Sequence, residues 1–115
     1  RAGARAALAQ AEALAPAGVE TQFAAGEIHA HEQDLDRAFT AFRKTIDANG
    51  RFAPGYLRRG AIYEVWNVPG AALRDYRTCL ELLELPREHP FARDIAARIE
   101  KLRADLGAEG PGGIR

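Results

Sequence analysis

The sequence contains no methionine and no serine, and only one cysteine and one tryptophan in 115 residues. Without serine there is no Ser-His-Asp nucleophile and no strained serine elbow. A lone Cys79 excludes an intrachain disulfide and leaves no thiolate cluster for a structural zinc, a usage that fits a reducing, cytoplasmic setting. No run of 18 apolar residues occurs, so no membrane partner is expected, and Arg1-Ala2-Gly3-Ala4-Arg5 lacks the apolar centre of a secretory signal. With no methionine at its start, the chain is expected to be one domain of a larger polypeptide. An excess of either charge is also lacking, since 16 basic residues face 16 acidic ones. Nucleic-acid binding needs a basic surface that releases counterions, and basic runs here stop at two residues, as in Arg58-Arg59, so no nucleic-acid partner is expected.

What is abundant is alanine. Aromatics make up 8% of the chain and β-branched residues are few, although 47% of residues are hydrophobic. Alanine is the best helix former and lets helices approach closely, whereas strands favour branched and aromatic side chains. An all-α chain is expected, forming one domain or one segment of an elongated array.

Laid over itself at an offset of 34, the sequence pairs Gly26 with Gly60, Ile28 with Ile62, Ala38 with Ala72 and Arg43 with Arg77. Character is kept between Phe23 and Leu57, Phe39 and Leu73, Phe42 and Tyr76, Ile46 and Leu80, and Asp47 and Glu81. In the first unit, Asp34 is suited to cap a helix whose apolar stripe is Leu35, Ala38, Phe39, Phe42 and Ile46, and Asn49-Gly50 stops it. In the second, Asn67-Val68-Pro69-Gly70 forms the turn, with Pro69 in a first helical turn where its missing N–H costs nothing. Leu73, Tyr76, Leu80 and Leu83 follow, and Pro86 ends the unit.

This pattern resembles the tetratricopeptide repeat family, whose repeat has the same length, about 34 residues. Counting from Val19 and Ala53, the second unit matches that family at Tyr56, Gly60, Tyr63, Ala72 and Tyr76, with Cys79 at its second small position. The first matches at Gly26, Ala38 and Phe42 but carries Gln22, His29, Thr45 and Gly50 where the family differs. Run backwards, the register places Ala4, Leu8, Ala11 and Pro16 on a preceding second helix. Run forwards from Arg87 it fails, leaving an amphipathic helix from about His89 to Leu106 with Phe91, Ile95, Ile99, Leu102 and Leu106 on one face. The resemblance implies a right-handed α-solenoid of antiparallel helix pairs. Its expected parts are half a repeat over 1–18, repeats over 19–52 and 53–86, a capping helix over 87–107 and a flexible tail over 108–115.

Sites for chemistry are weak. His29 and His31, two apart on a helix, point away from each other, and Glu27 with His31 supplies only two ligands, so no metal and no cofactor are expected. Cys79 reads as a small hydrophobe, Tyr56, Tyr63 and Tyr76 as core, and Trp66 as either a contact anchor or a lid on its turn. Asp34 with Asp36, and Glu81 with Glu84, read as a cap and a solvated face rather than as acid and base. No catalysis is expected.

The resemblance implies that the first helix of each repeat lines a concave groove that holds a partner protein or peptide. Carried over by position, that surface comprises Glu20, Phe23, Glu27, Ala30 and His31, then Leu57, Arg58, Ala61, Glu64 and Val65. Phe23, Leu57 and Val65 suit apolar side chains, Arg58 an acidic group, and Glu27 and Glu64 basic ones. Glu27 stands where the family's clamp for chaperone C-termini needs asparagine, which argues against that ligand. The expected function is a non-catalytic interaction scaffold in a larger bacterial protein. Two alternatives are self-association through exposed repeat ends, giving a homo-oligomer, and a regulatory domain on an enzyme such as a chemotaxis-type methyltransferase.

Overall fold

The computed structural model describes residues 18–109. The half-repeat expected before Val19 and most of the expected tail fall outside this range. Among the described residues the chain is all-helical: α1 (Val19–His31), α2 (Leu35–Ala48), α3 (Ala53–Val65), α4 (Pro69–Leu83) and α5 (Pro90–Glu109), with no strand. Contacts divide the chain into two compact units, Arg1–Gly55 and Tyr56–Arg115.

Helix geometry recurs at the sequence offset. α1 and α3 are related by it at both ends, and α2 and α4 at their starts. The turn between the helices is also copied, bond for bond. At the end of α1, Gln33 N–H donates to Ala30 O (3.0 Å) and Asp34 N–H to His29 O (2.9 Å). At the end of α3, Asn67 N–H donates to Glu64 O (3.0 Å) and Val68 N–H to Tyr63 O (2.9 Å). Both are Schellman closures, which need a left-handed residue just past the helix. Gln33 and Asn67 supply it, with φ of 68° and 61°. The next helix starts at once. Asp34 accepts from Arg37 N–H (3.3 Å) at the head of α2, while Pro69 opens α4 without a side-chain cap.

Within each pair the close approach is made by glycine against an aromatic ring. A Cβ on Gly26 would lie 2.6 Å from Phe42 Cδ1, and one on Gly60 would lie 2.9 Å from Tyr76 Cε1. Phe42 and Tyr76 are buried, as are Ala38 and Ala72 one turn before them. Glycine, alanine and ring thus occupy equivalent places in the two pairs. Burying an aromatic ring of this size contributes on the order of 2–3 kcal/mol, so a missing Cβ that lets the ring seat fully matters more than the helix propensity glycine forfeits.

The first unit adds Phe52, from the connection after α2, edge-on to Phe23 at 5.3 Å, while Phe23 tilts onto Phe42 at 5.6 Å. Thr45, fully buried where a small residue was expected, satisfies its hydroxyl on Ala41 O (2.9 Å). In the second unit, Ile95, Ile99 and Leu102 of α5 join Ala72, Leu73 and Tyr76 in one core, with Phe91 and Leu106 packed against it. All five residues of the expected α5 stripe therefore face α4. The helix itself starts at Pro90 and runs to Glu109, because His89 Nδ1 accepts from Phe91 N–H (3.1 Å) and Pro90 takes the first helical position. α4 stops at Leu83, where Glu84 turns left-handed (φ 51°), and so leaves Leu83 exposed instead of continuing the buried stripe.

Candidate partner-binding surfaces

The ten positions of the expected surface fall into two sets, five within each unit. On α1, Glu20, Phe23, Glu27 and His31 recur at steps of three and four and share one side of the helix. Glu20 and His31 are exposed and Glu27 is half-buried. Phe23 is held between Phe42 and Phe52, so only part of its ring is available. On α3, Arg58 and Val65 are exposed, Val65 to 69%. Leu57 packs on the α4–α5 core.

Glu64 is engaged as well. It accepts the Tyr76 hydroxyl proton at 2.5 Å, and Arg98 of α5 donates to the same hydroxyl at 3.3 Å. Arg98 also lies 3.7 Å from Glu64 and 5.9 Å from the centre of the Tyr76 ring. Burial, reinforced by the Glu64 carboxylate, pushes the Tyr76 hydroxyl up to about 12. The phenol stays protonated and bridges α3 to α5.

A second polar feature has no counterpart in the first pair. Arg59 Nε and Nη2 donate to the Asp75 carboxylate at 2.8 and 2.9 Å, a bidentate pair in which the Asp75 side chain is 6% exposed. The guanidinium also sits 5.8 Å from the Tyr56 and Tyr63 ring centres. The bond to Asp75 raises the Arg59 pKa further above its ordinary value despite desolvation. Arg59 and Asp75 stand at the places that Ala25 and Ala41 hold in the first pair. Helical charges ordinarily read as solvated, and this pair escapes a reading by periodicity. Its one signal is that two alanines are replaced together by opposite charges.

Where the first pair has those alanines, a cleft of about 200 Å³ opens between α1 and α2. Gln22, Ala25 and His29 form one wall, and Arg37, Thr40, Ala41 and Lys44 the other. His29 Nδ1 is buried without a hydrogen-bond partner among the described residues, at a cost of roughly 1–3 kcal/mol. Tyr63, at the matching place in α3, carries no such ring nitrogen.

Cys79 is buried, and burial pushes its thiol up, away from the thiolate a nucleophile or metal ligand requires. Among the described residues, no three His, Cys, Asp or Glu side chains are grouped to hold a metal ion. No helix among them is long and apolar enough to cross a membrane. Comparison with protein-family models and with curated proteins found no match to the sequence.

Proposed function

We propose that this chain is a tetratricopeptide-like repeat module serving as a non-catalytic scaffold, which holds a segment of a partner protein along the outer sides of α1 and α3. The observation that carries the reading is the recurrence, at one fixed offset, of helix limits, Schellman turns and glycine–aromatic contacts. Two helices joined in this way leave an apolar side that a neighbouring element must cover, and repeat arrays bind their partners on surfaces built by the recurring helices. Glu20, Glu27 and His31 of α1 and Arg58 and Val65 of α3 make the side-chain contacts with the partner, each set within its own unit. Phe23, Leu57 and Glu64 hold those helices in place and contribute their exposed edges.

The test is capture of a peptide array by the wild-type chain, by Arg58→Glu and by Glu27→Lys. Selected peptides should combine apolar residues with charges of both signs, and each reversal should weaken capture by about tenfold, equivalent to about 1.4 kcal/mol. Equal capture by all three proteins would remove these helices from the binding surface.

Self-association has one observation in its favour. Val65, Trp66 and Val68 are 69%, 38% and 41% exposed around a single turn, whose counterpart in the first pair is His31, Glu32 and Asp34. Sedimentation velocity of the wild type against Val65→Glu/Val68→Glu decides: a dimer lost in the variant supports this second reading.

A further inference from the structure

The two helix pairs repeat the same backbone plan, yet the trough between their helices is filled in one and open in the other. In the second pair a single long side chain, Arg59, occupies it, anchored on Asp75 and flanked by Tyr56 and Tyr63. In the first pair the four matching residues are Ala25, Ala41, Gln22 and His29, and the trough is the cleft between α1 and α2. Its rim carries Arg37 and Lys44, which replace Ala71 and Thr78 of the second pair. Among the described residues no carboxylate lines it. Arg37 lies 3.6 Å from Asp34 in a surface pair one turn apart at the head of α2. A trough whose described lining residues include two cations and no anion has a local excess of positive charge, which the exposed Arg37–Asp34 pair offsets only in part.

We infer that this cleft receives one acidic side chain, a glutamate or aspartate, from a partner polypeptide. Size and polarity both favour this occupant. About 200 Å³ lies below the 300–1,000 Å³ usual for small-molecule sites and suits one side chain. The methyl groups of Ala25 and Ala41 suit a methylene stem, as the second pair accommodates the stem of Arg59. Arg37 and Lys44 stand two turns apart along one side of α2, and flank a carboxylate placed near Thr40. The charge logic of the second pair is thereby inverted: there the chain supplies both ions, and here it supplies cations and the partner the anion. This surface differs from the outer sides of α1 and α3, and the inference deepens the scaffold reading without using the residues assigned to it.

The experiment is a titration of the full ¹⁵N-labelled chain with N-acetylglutamate, read from the amide signals of Ala25, Thr40 and Ala41 and the ring signals of His29. Saturable shifts confined to these residues are expected. Arg37→Ala/Lys44→Ala should weaken the apparent affinity at least tenfold. Ala25→Arg/Ala41→Asp, which rebuilds the plug of the second pair, should abolish the shifts while the chain stays helical. Arg58→Glu should leave the titration unchanged, so that failure here and failure of the groove reading are told apart. Absent shifts, or shifts that survive both double variants, overturn the inference. Tighter binding of inorganic phosphate than of N-acetylglutamate overturns it in favour of a free-oxyanion site. Glu12 is the one acidic residue before Val19 in the sequence, and movement of the same signals on Glu12→Gln, with no probe added, overturns the inference in favour of an occupant from this chain.

Discussion

Replacing Arg59 and Asp75 by alanine, singly and together, probes how charge is accommodated in the second helix pair. The bidentate contact is 2.8 and 2.9 Å long, and the side chains are 21% and 6% exposed. Arg59→Ala strands the Asp75 carboxylate almost wholly out of water. Breaking a buried pair from one side costs about 3–5 kcal/mol. Asp75→Ala strands the longer and more exposed partner, whose guanidinium can swing toward solvent, and should cost about 2 kcal/mol. The double variant leaves no orphaned charge and reproduces the Ala25/Ala41 arrangement that the first pair tolerates. It should cost only about 1–2 kcal/mol, mostly for lost contact with Tyr56 and Tyr63. The coupling energy is then about 3–6 kcal/mol, well above the error of a cycle. Urea unfolding followed by circular dichroism at pH 7 measures all four corners, and for a domain of this size each kcal/mol moves the melting temperature by about 4–8 °C. If the double variant loses the sum of the two single losses, the pair is not coupled and the argument for a charge-filled trough is wrong.

Two further predictions use the same unfolding assay. Gly26→Ala gains about 1 kcal/mol of helix propensity but drives a methyl into the Phe42 ring, which Phe23 backs. A net loss of about 1–2 kcal/mol is expected, whereas Gly70→Ala, with nothing within 4 Å, should be neutral or slightly stabilising; equal behaviour of the two would refute the close-approach account. Tyr76 titrates near 10 when unfolded and is pushed up to about 12 in the fold, so the folded chain holds more protons between those values. Stability from this group is intact below pH 10 and is lost as pH rises toward 12, by roughly 1.4 kcal/mol for each unit of difference, and Tyr76→Phe should flatten that part of the pH profile.

Periodic signals in the sequence were the ones that survived into structure. The offset of 34 placed helix limits, the paired glycines and their ring partners, because each such position is set by neighbours three or four residues away or by the matching place in the other pair. Asp34 was legible as a cap for the same local reason, and the stripe from Phe91 to Leu106 because a buried helix face must repeat. Features set by packing between distant residues were not legible. Phe52 is a lone aromatic after a turn, and only the folded chain brings it onto Phe23. Glu64 reads as a surface charge until Tyr76 and Arg98 reach it. The open cleft was invisible because it consists of what two alanines fail to fill.

The left-handed residues Gln33 and Asn67 have a consequence for how such a chain can diversify. The same two main-chain bonds close both bends, and only the first adds the Asp34 side-chain cap to the next helix, so the backbone path is common to quite different side chains. One bend displays histidine, glutamate and aspartate, and the other valine, tryptophan and valine, on an unchanged backbone path. Drift can thus turn a hydrophilic corner into an adhesive one without loosening either helix, and a designer wishing to graft a new contact would begin at those corners.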